Sequence, residues 1–73
     1  EAYFSDSVLT ARVKFALLDA PDVSALDIGV QTHRGVVLLS GFVDTERLVR
    51  RAGEIAAKVE GVKAVRNTLQ VRG

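Results

Sequence analysis

Apolar residues recur at helical spacing over residues 6–20, where Leu9, Val13, Ala16, Leu17 and Ala20 fall on one side of a helical wheel. Ser5 or Asp6 can cap the start of this helix. Pro21 ends it, because the residue before a proline is pushed out of helical geometry and proline itself cannot continue the ladder. The period then changes to two: Leu26, Ile28, Val30 and Thr32 share one face, and Asp27, Gly29, Gln31 and His33 the other. A turn at His33, Arg34 and Gly35 leads into a second apolar run, residues 36–43, making a β-hairpin. Val36, Leu38 and Phe42 are apolar as well as Val37, Leu39 and Val43, so this strand is expected at the centre of the sheet or covered on both faces.

Asp44 stands as the cap of a second helix over residues 45–59, with a core stripe of Leu48, Ala52, Ile55 and Val59 widened by Val49 and Ala56. Gly61 provides its left-handed stop. Residues 62–71 alternate again as a third strand, parallel to the second if the two are neighbours. The order αββαβ predicts an α+β two-layer sandwich: a three-stranded mixed sheet with both helices on one face.

The 73 residues fit one domain, 1–73, read as a piece of a longer protein. A chain of this length buries only about 60% of the surface it exposes unfolded. Even so, 48% of its residues are hydrophobic, so some apolar surface is expected to remain for partners. Without cysteine it can form neither a disulfide nor a thiolate metal site. A formal net charge of +1 is far from the strongly basic balance of an electrostatic nucleic-acid binder. No apolar run approaches the roughly 18 residues of a membrane span.

Candidate chemistry is sparse. His33 is the only histidine and has no carboxylate or thiol at ligand spacing, so it reads as an exposed turn residue. No phosphate-cradling glycine loop occurs. On the second helix, Glu46, Arg50, Glu54 and Lys58 alternate in sign at i, i+4 positions, the pattern of a solvated face. Arg47 and Arg51 form a like-charged i, i+4 pair, mildly unfavourable unless an anion lies between them, and are candidates for contact with anionic headgroups or an acidic partner. The first helix carries a second apolar stripe of Val8, Ala11, Phe15 and Leu18, bounded by Arg12 and Asp19 on one side and Thr10 and Lys14 on the other. One reading tucks Phe15 and Leu18 against the second helix or near Tyr3 and Phe4. The other makes Val8, Phe15 and Leu18 an interface. Asn67 falls on the apolar face between Val65 and Leu69, where its amide is expected to tie down a neighbouring loop backbone. Gly41 and Gly53 are expected to allow close packing.

Three stretches in order, DVSALDIGV (residues 22–30), GVVLLSGFVD (35–44) and GVKAVRNTLQV (61–71), together with RAGEIA (51–56) in the second helix, resemble the BON domain family, named for bacterial osmotic-shock and nodulation proteins. The likeness covers nearly the whole chain. It departs at Leu38, where the family more often has Thr, and at Arg34, where Asn or Asp often precedes the turn glycine. What the resemblance implies is the αββαβ fold, a bacterial source, a periplasmic or envelope setting, no enzymatic activity and a role in attachment to phospholipid membranes. It also implies tandem copies or neighbouring modules in the parent protein.

The expectation is therefore a contact module with no catalytic, cofactor-binding or metal-ligating residue. Its partner would be a phospholipid membrane or an envelope protein, met through Val8, Phe15 and Leu18 and through Arg47 and Arg51. The alternative is a structural spacer or oligomerisation domain pairing with a tandem BON domain or another copy. A small nucleic-acid-binding module is the third reading.

Overall fold

The computed structural model describes residues 4–23 and 27–72. Tyr3 and Leu26, both named above, lie outside the described residues. The elements run α1 (Asp6–Leu18), β1 (Ile28–His33), β2 (Val36–Val43), α2 (Glu46–Ala57), β3 (Ala64–Asn67) and β4 (Gln70–Val71). β2 is central, antiparallel to β1 and parallel to both β3 and β4. This is the expected α+β arrangement, with the final strand in two pieces. The register against β2 is unchanged across the interruption, Leu39 facing Asn67 and Phe42 facing Gln70. Between the pieces Thr68 still donates its N–H (2.9 Å) and also its hydroxyl (2.6 Å) to the Leu39 carbonyl, and the Leu69 N–H, which faces away from β2, is taken by the Asn67 side-chain oxygen (3.2 Å).

α1 packs on β1, and α2 on β2, β3 and β4, so that both helices cover one side of the sheet. Between the layers lie Val13 and Leu17 from α1, Val30, Val37, Leu39 and Val43 from the sheet, Leu48, Ala52 and Ala56 from α2, and Leu69. The predicted stripes supply this core, with Ala16, Val49, Ile55 and Val59 only partly buried at its border. Burial of apolar surface at roughly 25 cal/mol per Å² is the main term holding the layers together. Two boundaries move. α1 stops at Leu18, two residues short of Ala20, which is still buried beside Val23. The cap of α2 is Thr45, whose side-chain oxygen accepts the Leu48 N–H at 3.2 Å. Asp44 stands one residue too early for that role, and its carboxylate instead meets the Arg72 guanidinium at 3.2 Å.

The β1–β2 connection shows why the sequence allows an arginine in a tight turn. Arg34 (φ 52°) and Gly35 (φ 84°) both lie in the left-handed region, as a two-residue hairpin of matching twist requires. Glycine takes this conformation freely, whereas arginine does so at a cost. The Asp6 carboxylate offsets that cost, accepting the Arg34 N–H (2.8 Å) at one oxygen and the Gly35 N–H (3.1 Å) at the other. Those two bonds, aided by the nearby charges of His33 and Arg34, hold the Asp6 carboxyl below the usual carboxylate range despite partial desolvation. Asp6 is thus a clamp between helix and hairpin, and Ser5 is the cap, accepting the Val8 N–H at 3.3 Å.

Candidate functional site

α1 exposes apolar side chains on the side opposite its buried stripe. Phe15 is 70% exposed, Leu18 59% and Val8 42%. Among the described residues Phe15 and Leu18 tuck neither against α2 nor against Phe4, and the Tyr3 part of that alternative lies outside the described residues. Phe4 instead lies against Gly61, with the Arg12 guanidinium 4.2 Å from its ring centre. Arg12 on one flank and Lys14 on the other border the exposed stripe, giving an apolar ridge with cations beside it. Such a helix face can rest in an apolar–polar boundary or against another protein surface.

Arg47 and Arg51 do have an anion between them, and the chain itself supplies it. Asp22 places Oδ2 3.5 Å from the Arg47 guanidinium and 3.3 Å from that of Arg51. Partial desolvation pushes the Asp22 carboxyl up, but its own backbone N–H together with Arg51 and Arg47 more than offsets this and holds it below the usual range. The pair is exposed, so the bond is worth little in stability, yet it partly neutralises the charge the arginines can offer a partner. Sequence spacing identified the repulsive pair and missed the carboxylate. An acid just after Pro21, in the segment that follows α1, was the available signal.

The sheet face away from the helices carries a different set. Leu38 and Val36 are half-buried and Phe42 is 54% exposed. Gln31 and Arg66 stand on either side of Leu38 in register, and an open depression there is bordered also by His33, Arg34 and Thr68. His33 is exposed, as expected of a turn residue, but it also borders this depression. At the far end of the same face, Arg72 reaches Asp27 (2.8 Å), Asp44 (3.2 Å) and the Phe42 carbonyl (3.3 Å), fastening β4 to both neighbouring loops.

Asn67 proves structural, though by a different contact from the one expected. Its amide nitrogen donates to the Val49 carbonyl of α2 at 2.7 Å, so it ties a helix and not a loop, and the residue as a whole is exposed. Gly53 makes room for that amide: a Cβ there would lie 2.7 Å from the Asn67 nitrogen. Gly41, at positive φ, likewise permits the backbone at Asp27 to approach β2. Among the described residues, no group of three or more His, Cys, Asp or Glu side chains is arranged to hold a metal ion, and no helix is long and apolar enough to cross a membrane.

Comparison with known proteins agrees with this architecture. The chain is 43% identical over 70 residues to osmotically-inducible protein Y of Escherichia coli (strain K12), covering 96% of this chain and 35% of that protein. It thus spans about a third of the relative's length. Among solved structures, the C-terminal domain of CdsD, the structural protein of the type III secretion system of Chlamydia trachomatis, matches with a TM-score of 0.75 at 16% identity, over 93% of this chain and 34% of that one. This second likeness concerns the fold alone. The family model described as the BON domain matches residues 5–73, essentially every residue of the two layers and their connections, and the chain belongs to the BON domain family.

Proposed function

We propose that this domain is a non-catalytic contact module of the bacterial envelope that attaches to anionic phospholipid membrane through the outward ridge of α1. The observation that carries the reading is the exposure of Phe15, Leu18 and Val8 on one side of a helix whose other side is fully engaged in the core. Transferring an exposed Phe or Leu side chain into an apolar boundary is worth about 1.5–3 kcal/mol. Lys14 and Arg12 would add about 1 kcal/mol each near an anionic leaflet. Arg47 and Arg51 lie beyond the C-terminal end of α1, beside Asp22, and would contribute headgroup contact reduced by that carboxylate. The family membership and the relative's description as osmotically inducible support an envelope setting.

Co-sedimentation with phosphatidylglycerol-containing vesicles at low and high salt tests the reading. Binding that weakens with salt, and is abolished by Phe15→Ser with Leu18→Ser in a folded protein, is the expected result. The Arg47→Ala with Arg51→Ala variant should lose a smaller share. No binding at either salt concentration, combined with concentration-dependent dimerisation that the same serine variants remove, would instead favour the spacer or oligomerisation reading of the same ridge.

A further inference from the structure

We propose that the open edge of β1 is a docking site for an extended, acidic segment of another protein, which adds to the sheet as a further strand beside β1. In a two-residue hairpin the flanking residues, here His33 and Val36, exchange both backbone hydrogen bonds, and bonded and non-bonded pairs then alternate along an antiparallel ladder. The backbone groups of Val30 and Thr32 therefore point away from β2. Among the described residues nothing in the backbone pairs with them. They are also reachable. Successive strand residues send side chains to opposite faces, yet residues 30–34 and Thr10 of α1 all border the open depression that crosses the outer face of the sheet to Arg66 and Thr68, so at its near end that depression reaches the β1 edge.

The two edges of the sheet differ in how they are defended. An edge is usually protected by charged side chains, proline or interruption. β3 follows that rule: it carries Arg66 and stops after four residues. β1 runs six residues, IGVQTH, without Lys, Arg, Asp, Glu or Pro. A strand so regular and uncharged is a usable template for main-chain pairing.

Charge selects the occupant. Arg34 borders the near end of the depression, and Lys14 follows one turn after Thr10, whose hydroxyl sits 2.7 Å from that of Thr32 on β1. Among the described residues neither of these two cations has an ion-pair partner, and no carboxylate borders the depression. The nearby Asp6 has both oxygens committed to the turn backbone. A second copy presenting the same edge would bring the same cations, so an acidic partner strand is the complementary one.

The test is amide hydrogen exchange, followed by NMR, with a blocked octapeptide alternating glutamate and valine and with its lysine counterpart. The glutamate peptide is expected to slow exchange at Val30 and Thr32 by at least about tenfold, leave β3 unchanged and bind less well as salt rises. Thr32→Pro removes an outward N–H without touching the β1–β2 ladder and should abolish the protection at Val30, while vesicle binding through α1 persists. Should Thr32→Pro fail to fold, Lys14→Glu with Arg34→Glu decides, and a reversed preference for the lysine peptide is the supporting result. Unchanged exchange at Val30 and Thr32, equal binding of both peptides, or protection that depends on protein concentration alone would each overturn the proposal.

Discussion

α1 and α2 lie side by side on one sheet, yet they solve opposite problems. α2 is divided cleanly, with Leu48, Ala52 and Ala56 buried and Glu46, Arg50, Glu54 and Lys58 in water. α1 has no such division, since Leu9, Val13 and Leu17 are buried on one side while Val8, Phe15 and Leu18 stand exposed on the other. A helix used only to cover a sheet needs one apolar stripe. The second stripe on α1 stays largely exposed and is not needed to cover the sheet, which is the physical ground for the proposal that it makes contact.

The largest separation between the stripes should appear in stability. Leu17→Ala is expected to cost about 2–5 kcal/mol by urea denaturation, because a fully buried side chain leaves a cavity. Phe15→Ala should stay within about 0.5 kcal/mol despite removing a larger group. A comparable loss at Phe15 would erase the contrast. On α2, the close approach at Gly53 gives a subtler test. Gly53→Ala alone forces the Asn67 amide off the Val49 carbonyl and should destabilise by about 1 kcal/mol. In an Asn67→Ala background the same change should reverse sign and stabilise by up to about 1 kcal/mol, the helix-propensity gain. Additivity in that double-mutant cycle would show that the glycine is not there for the amide.

The caps should be nearly equal. Ser5→Ala and Thr45→Ala are each expected to cost about 1 kcal/mol, measured by thermal unfolding, since each removes one acceptor from a first-turn N–H. Smallest is the pH response of the Asp6 clamp at α1. Its folded-state carboxyl titrates below the ordinary value of 3.8, so its contribution is present above that value and is lost as pH falls through the lower folded-state value. Denaturation of wild type and Asp6→Asn should differ near neutrality and converge under acid. A constant gap would show that ionisation of Asp6 has no part in the clamp.

Most of the two-layer architecture could be read from periodicity, because Leu9, Val13 and Leu17, Leu48, Ala52 and Ala56, and Val37 and Leu39 repeat at the spacing of the surface they bury. What escaped was set by contacts between residues far apart in the chain. Nothing local distinguishes Asp6 from a second cap candidate; only the fold brings it to the hairpin. Asp22 became the partner of Arg47 and Arg51 in the same way. Thr45 displaced Asp44 as cap by one position, a distinction that residue type alone does not make. The interruption at Thr68 and Leu69 is likewise absent from the pattern, because the alternation of Val65, Leu69 and Val71 with Arg66, Thr68 and Gln70 runs straight through it.

The Asp6 clamp bears on the order in which the molecule assembles. A tight hairpin ordinarily closes on its own within about 1–10 μs, ahead of tertiary structure. Here part of the turn's stabilisation comes from a carboxylate 28 residues upstream, so the most local pairing in the chain gains that part only once the first helix has docked, and its stability is tied to a long-range contact.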